Sequence, residues 1–315
     1  MMATSKRKNF QFSGHETFNL RQNWLYKAVS FCRESLKRGE SPNFNGPDAM
    51  VSLGVGKNMV SSLKWWGLQT GFLENCGNRI LPSELSKVIF GDGINDDRAL
   101  DPFGESLVTA WLAHWNLCSS PNKFTAAWYL FNVYNDQQVN REQLQKRLET
   151  FAEENGCNVT KNTLKRDIEV VFRSYTLSQR QKKDKFEDKV DSLFSCLGLI
   201  SSVDSTVFEI IRTHRGTLPT AFFAWATLDH WERLNELSPS KSLDWFQISF
   251  AANSPGRVFK LSERDLSERL EDVESISSGK LMWTDQLGIK NLVCKDPNFD
   301  LKSIKRELLI RAYRG

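Results

Sequence analysis

Residues 48 to 72 read DAMVSLGVGKNMVSSLKWWGLQTGF, and the fold turns on how this stretch is parsed. Asp48 can cap a short helix that carries Ala49, Met50 and Leu53 inward. Gly54-Val55-Gly56 then supplies a tight turn, because glycine reaches positive φ at no steric cost and Val55 can plug the angle between two helices. A second helix starts near Lys57, with Met59, Val60, Leu63 and Trp66 on its inner face at helical spacing. The pattern predicts a helix-turn-helix. Its outer face carries Lys57, Asn58, Ser61, Ser62 and Lys64. These side chains suit phosphates and base edges, and the helix N-terminus itself favours a phosphate. Residues 67 to 79 then lead into a β-wing starting at Arg79. The functional reading is helix-in-groove docking on DNA; a helix-turn-helix used only for packing or protein contact has the same spacing.

A second such pattern spans residues 143 to 175. Leu144, Leu148 and Phe151 form an apolar stripe that Asn155-Gly156 breaks. Asn158-Val159-Thr160 then enters a helix with Leu164, Ile168, Val171 and Phe172 inward. Thr160, Lys161, Asn162, Thr163, Lys165 and Arg166 cluster near its start, where a recognition helix meets DNA. An amphipathic helix with a solvated basic face is the alternative.

Further out, helical periods run over residues 21 to 38, 107 to 117, 124 to 134 and 141 to 154, with Asp101-Pro102 as a helix-start signal. Strand signals are short: residues 79 to 81, 207 to 211 and 257 to 261. Residues 178 to 189 are densely charged and read as a linker. The expected fold is mainly α with short β-wings, built from tandem helix-turn-helix, winged-helix-like units: residues 1 to 100, 101 to 180, and a C-terminal helical α+β unit over 190 to 315.

Composition agrees. In 315 residues, 40% are hydrophobic and 25% charged, enough to bury a core and far from disorder. Lys and Arg exceed Asp and Glu by 42 to 38, too small an excess to prove a polyanionic partner by itself. No apolar run approaches the roughly 18 to 20 residues of a membrane span, so a cytoplasmic protein with no membrane contact is expected. Six scattered cysteines without a CxxC pair read as reduced, mostly buried thiols. Without GxxxxGK[ST], GxGxxG, GxSxG or HExxH, nucleotide hydrolysis, dinucleotide binding and the common hydrolase chemistries lack support.

The remaining chemistry lies in FSGHETF, residues 12 to 18, followed by Arg21. His15 can act as acid, base or ligand and Glu16 can hold a divalent cation, the equipment of phosphodiester cleavage. His15, Glu16 and Arg21 are therefore the catalytic candidates, against a structural reading in which His15 and Glu16 cap or hydrogen-bond the next helix. His114, His214 and His230 read as satisfied core residues. Lys302, Lys305, Arg306, Arg311 and Arg314 punctuate a final helix, as a solvated face or an aid in holding a polyanion.

FSGHETF, DAMVSLGVGKNMV at residues 48 to 60, Asp101-Pro102 with TAWLAHWNL at 109 to 117, and SPGRVFKL at 254 to 261 together resemble the family of domain of unknown function 4007. Such proteins are similar to companions of bacterial DNA phosphorothioation genes, among them the SspB type to which DNA nicking is ascribed. The resemblance implies a DNA-acting protein of a modification and defence system, nicking one strand with magnesium or manganese. Its implied partners are DNA, a cysteine desulfurase and ATP-using proteins. A non-enzymatic DNA-binding regulator or recruiting subunit is the alternative.

Overall fold

In the computed structural model, which describes residues 10–92, 96–177, 192–286 and 288–315, the first hundred residues follow the parsing of residues 48 to 72 closely. Helix α1 (Trp24–Lys37) buries Trp24, Leu25, Ala28, Val29 and Cys32. It packs on α2 (Pro47–Leu53) and α3 (Lys57–Gln69). Gly54 ends α2 with φ 65°, as a tight turn requires. A hairpin follows, β1 (Leu73–Cys76) against β2 (Arg79–Pro82), with Leu73 opposite Pro82 and Cys76 opposite Arg79. Helix α4 (Glu84–Phe90) closes the set. Two details differ from expectation. Pro47 takes the first helical position after Gly46, so Asp48 sits in the first turn instead of capping it. Met50 is also largely exposed, because α2 turns only Ala49 and Leu53 inward.

Asp101-Pro102 does not start a helix. Asp101 is buried and accepts the Glu105 and Ser106 backbone N–H groups and the Thr109 hydroxyl, so it shapes the turn ahead of α5 (Leu107–Cys118), which Ser106 caps. Helices α5 and α6 (Thr125–Asn132) are apolar nearly all round, which places them at the centre. α7 (Arg141–Glu154) and α8 (Lys161–Tyr175) pack side by side on α6. Beside them β3 (Gln138–Asn140), β5 (Val207–Glu209) and β4 (Ser201–Ser202) form an antiparallel sheet in that order. The charged stretch read as a linker lies outside the described residues.

The C-terminal part pairs α9 (Thr220–Asn235) with α14 (Leu301–Arg314). Between them in sequence come β6 (Ser242–Asp244), α10 (Trp245–Ser249), α11 (Pro255–Val258), α12 (Glu263–Glu271), α13 (Val273–Ile276), β7 (Leu281–Gln286) and β8 (Ile289–Cys294). The three strands form an antiparallel sheet in the order β6-β8-β7. Residues 257 to 261, expected as a strand, instead finish α11 and make one bridge from Leu261 to Thr213. Ser254 as cap and Pro255 at the first position start a helical turn there. A Cβ on Gly256 would come within 2.5 Å of the Ser249 carbonyl oxygen, so only glycine fits. The protein is mainly helical with small antiparallel sheets, and its buried apolar side chains form a cluster reaching from Leu20 to Ala312. Of the free cysteines only Cys32 and Cys118 are buried, whereas Cys76 and Cys196 are exposed, against the expectation of mostly buried thiols.

Candidate nucleic-acid interface

Residues 12 to 18 wedge between two helices that are distant in sequence. Ser13, Gly14, Glu16 and Thr17 have φ of 59°, 96°, 48° and 62°. For the three non-glycine residues this left-handed backbone costs on the order of 1 kcal/mol each, so surrounding contacts must hold it. Those contacts are specific. His15 is buried, with Nε2 2.8 Å from Asp167 Oδ1 of α8, and its Nδ1 accepts the Thr17 backbone N–H at 3.1 Å. Accepting at Nδ1 leaves the proton on Nε2, so His15 is the neutral tautomer that donates to Asp167. The wholly buried Asp167 also accepts the Ser13 N–H at 3.1 Å.

From α3, the Ser62 hydroxyl donates to the His15 carbonyl at 2.9 Å, and the Trp66 indole N–H donates to the Phe18 carbonyl at 3.1 Å. Gly14 lies flat on Trp65, where a Cβ would stand 2.4 Å from the ring. The far end of α8 is fixed separately. The Tyr175 hydroxyl lies 2.7 Å from His114 Nδ1, and His114 Nε2 lies 2.9 Å from the Val258 carbonyl. Burial pushes the His114 imidazole down to about 3 and the His230 imidazole to about 4. Both are buried as expected, and His114 is satisfied, whereas the buried His230 Nε2 has no hydrogen-bond partner among the described residues. His214 is not buried, with most of its side chain in solvent and Nδ1 2.8 Å from Asp265 Oδ1.

The loop thereby brings α3 and α8 to one cavity of about 490 Å³, walled by residues 13 to 17, Asn58, Thr163, Arg166 and Asp167. A second hollow of about 380 Å³ adjoins it, sharing Thr17 and Arg166 and adding Arg141, Glu169 and Arg173. A third, of about 470 Å³, shares Arg141 and Glu169 and adds Lys165 and Gln145. Lys165, Arg166 and Arg173 are exposed, and the Arg173 guanidinium donates to the Thr17 carbonyl.

Lys57 and Asn58 are exposed on α3, and Ser61 and Lys64 are half-buried. Ser62 is not on the outer face: α3 turns it into the loop, where it is wholly buried. On α8, Thr160 caps the helix by accepting the Thr163 N–H at 3.2 Å. Lys161 pairs with Glu149 of α7 at 3.3 Å, and Asn162 is exposed. Glu16 is exposed at the cavity. Arg21 lies over the Trp24 and Phe18 rings at 5.3 and 6.0 Å and does not line the cavity. Sequence reasoning missed Asp167, Arg141 and Arg173. A signal existed for Asp167, a carboxylate beside Ile168 on the apolar stripe, since acids buried on such a stripe are paired.

Among the described residues, His214, Asp265 and Glu268 lie close enough together to hold a metal ion. Asp265 is already engaged by His214, by Arg269 Nε at 3.1 Å and by the Arg215 N–H at 3.1 Å. A guanidinium at that distance opposes a cation, and magnesium prefers an octahedron of oxygens, so this set does not fit it. In α14, Lys305 is committed to Asp229 and Glu232 of α9 at 2.7 and 2.6 Å, and Arg311 to the Ile276 carbonyl, while Lys302, Arg306 and Arg314 are exposed.

Two solved structures share the fold. An SspB crystal structure superposes with a TM-score of 0.81 at 23% identity, covering 98% of this chain and 91% of that one. A magnesium ion-bound SspB crystal structure gives the same score and identity, covering 98% of this chain and 90% of that one. No curated protein matches the chain. A family model matches residues 12–313, so it spans the loop, both helices and the C-terminal sheet, and the chain belongs to the proteins of unknown function DUF4007.

Proposed function

We propose that the chain binds the DNA backbone along the face built by α3, the 13-to-17 loop and α8. In this reading α1 to α3 with the β1-β2 hairpin act as a winged-helix-like unit and α7-α8 as a second helix-turn-helix. It serves a bacterial DNA phosphorothioate modification and defence system, beside a cysteine desulfurase and ATP-using proteins. The observation that carries it is the convergence of Asn58, Thr163 and Arg166 on one cavity continuous with Arg141 and Arg173. Arginine forks and hydroxyls on one face suit phosphate oxygens, and the cost of three left-handed non-glycine residues in the loop is the kind of strain that marks a working surface. Likeness in fold to SspB supports the choice of system.

Nicking of one strand, the finer reading, rests on Glu16. Magnesium or manganese takes one or two carboxylates and completes its shell with water and substrate phosphate oxygens, so an exposed Glu16 at the cavity suits it. When bound, such an ion supplies charge neutralisation at the scissile phosphate. Arg166 and Arg173 hold flanking phosphates. His15 positions the loop, with both of its ring nitrogens engaged by the protein. Arg21 stiffens the exit from the loop through its rings. The engagement of both His15 nitrogens favours a second reading, a docking subunit that binds DNA without cutting it.

Supercoiled plasmid with magnesium or manganese, run beside a gel shift, separates the two. Nicked circles that vanish in Glu16→Gln while the shift persists support nicking. Intact plasmid with a normal shift supports docking alone, and the absence of any salt-sensitive shift sinks both.

A further inference from the structure

The SPGRVFKL segment takes no part in the interface above. It brings three cations together, Arg212, Arg257 and Lys260, with Arg215 behind them. Lys260 is 4% exposed and sits at φ 52°, a left-handed backbone held by the Lys260 N–H to Arg257 carbonyl and Thr213 N–H to Lys260 carbonyl hydrogen bonds. Its ammonium faces the Phe131 ring at 5.8 Å and has no hydrogen-bond partner among the described residues. Arg212 reaches the Gly256 and Leu261 carbonyls at 3.4 Å and lies over Phe250 at 5.9 Å. Arg257 donates to the Phe250 carbonyl at 2.9 Å and to the Asn135 side chain.

None of these partners is a carboxylate. The nearest acids are spoken for or distant: Asp265 binds His214, Arg215 and Arg269, and Glu263 touches the cluster only through its field on Arg212. Burial, then the fields of Arg212 and Arg257, hold the Lys260 amine well below its ordinary range, and burial with Arg257 lowers Arg212. Like charges crowd together at a cost that an arriving anion would remove. Next to them, Phe246 of α10 is 61% exposed with its ring 6.3 Å from Phe250. An exposed aromatic beside unneutralised arginines is the pairing that holds unpaired nucleotides, with base on ring and phosphate on cation.

We propose that Arg212 and Arg257, with Lys260 buried behind them, form a phosphate site that receives an unpaired DNA strand, with Phe246 stacking a base. The site shares no residue with the cavity between α3 and α8. The choice of DNA over a free phosphate compound rests on the reading given under Proposed function, and the test keeps the two apart.

Fluorescence anisotropy of labelled oligo(dT) against the full chain, over a salt series, reads the site. Phe246→Ala leaves the core intact because the ring is mostly in solvent, and it is expected to weaken the oligonucleotide roughly tenfold. Arg212→Gln with Arg257→Gln lowers the salt slope by about 1.4, two single-strand phosphate contacts. Duplex binding then remains as in the parent, while Lys165→Ala with Arg166→Ala shows the opposite pattern. Equal oligo(dT) affinity and slope in parent and both variants overturns the proposal even if duplex binding is strong. Inorganic phosphate that raises the melting temperature of the parent but not of the Arg212/Arg257 variant, without any oligo(dT) binding, overturns the strand and leaves a small-anion site.

Discussion

Helices α3 and α8 carry nearly the same sequence pattern, a polar or basic start over an apolar stripe after a turn, yet they meet the protein differently. α3 gives part of its polar side to the interior: Ser62 is sealed against the His15 carbonyl and Lys64 is half-buried, so only Lys57 and Asn58 stand clear. α8 instead admits one carboxylate, Asp167, and keeps Lys165, Arg166 and Arg173 in solvent. The difference comes from the 13-to-17 loop, whose backbone needs acceptors and donors on both sides and takes them from whichever residue faces it. A polar residue near the start of a recognition-like helix is thus as apt to hold the neighbouring loop as to touch a ligand.

The sharpest way to break the comparison is to remove the carboxylate that separates the two helices. Asp167→Ala strands the His15 Nε2–H and the Ser13 N–H inside the protein, and each lost buried bond costs about 1 to 3 kcal/mol. Urea titration is expected to show about 2 to 4 kcal/mol lost, with proteolysis appearing first in residues 12 to 18. A loss below about 1 kcal/mol would mean that the loop is held by other contacts and that α8 has no special hold on it. Gly14→Ala tests the same loop from the α3 side by forcing a methyl into Trp65, and should cost a similar amount.

The other end of α8 responds to acid. Unfolded imidazole binds its proton near pH 6.5 and buried His114 only at about 3, so below pH 6.5 the unfolded chain holds a proton that the folded one lacks. Stability supplied by His114 is complete above pH 6.5 and falls as pH drops toward 3, by about 1.4 kcal/mol per pH unit. His230 adds a parallel loss between pH 6.5 and about 4. Denaturation at pH 7, 6, 5 and 4 should show His114→Asn with a limb flatter by about that slope, whatever its stability at pH 7. An unchanged slope would remove the anchor at Tyr175 from the account.

On the ligand side the two helices should differ by about tenfold. Lys165→Ala with Arg166→Ala removes exposed cations from α8 and is expected to lower duplex affinity roughly 10- to 30-fold and the salt slope by about 1.8, two phosphate contacts. Lys57→Ala with Lys64→Ala on α3 should lower it only two- to threefold, since Lys64 is half-buried. Equal losses, or a larger one on α3, would reverse the ranking.

How much of this could be read from the sequence depends on the range of the interaction. The helix pair over residues 47 to 69 was legible because its cues are local, with glycines flanking Val55 and apolar residues at three- and four-residue steps. α7 was legible end to end for the same reason, Asn140 before it and Asn155-Gly156 after it. The β6-β8-β7 sheet was not, because Lys290, Asn291 and Asp285 blur the alternation that marks a strand. Residues 257 to 261, RVFKL, imitate a short strand through their β-branched and aromatic side chains, and only the cap at Ser254 and the jam at Gly256 decide otherwise. In the site, both recognition-like helices could be located, but not their meeting. His15 and Asp167 are 152 positions apart, and no local spacing announces such a pair. Ser62 was misassigned because a helical wheel gives direction around the axis but not what stands there.

Ser62 also offers the smallest and most selective test. Its hydroxyl makes one neutral hydrogen bond to a carbonyl in a fully buried place, and Ser62→Ala leaves the methyl-sized volume nearly unchanged. The expected cost is about 1 kcal/mol in a urea titration, the net value of such a bond plus the orphaned His15 carbonyl. Because the side chain faces the loop and not solvent, DNA affinity and salt slope should stay as in the parent. Asn58→Ala makes the complementary case: exposed and lining the cavity, it should leave stability within about 0.5 kcal/mol and lower affinity a few-fold. If Ser62→Ala instead weakened DNA binding at unchanged stability, the polar side of α3 would be open in solution and the contrast with α8 would dissolve.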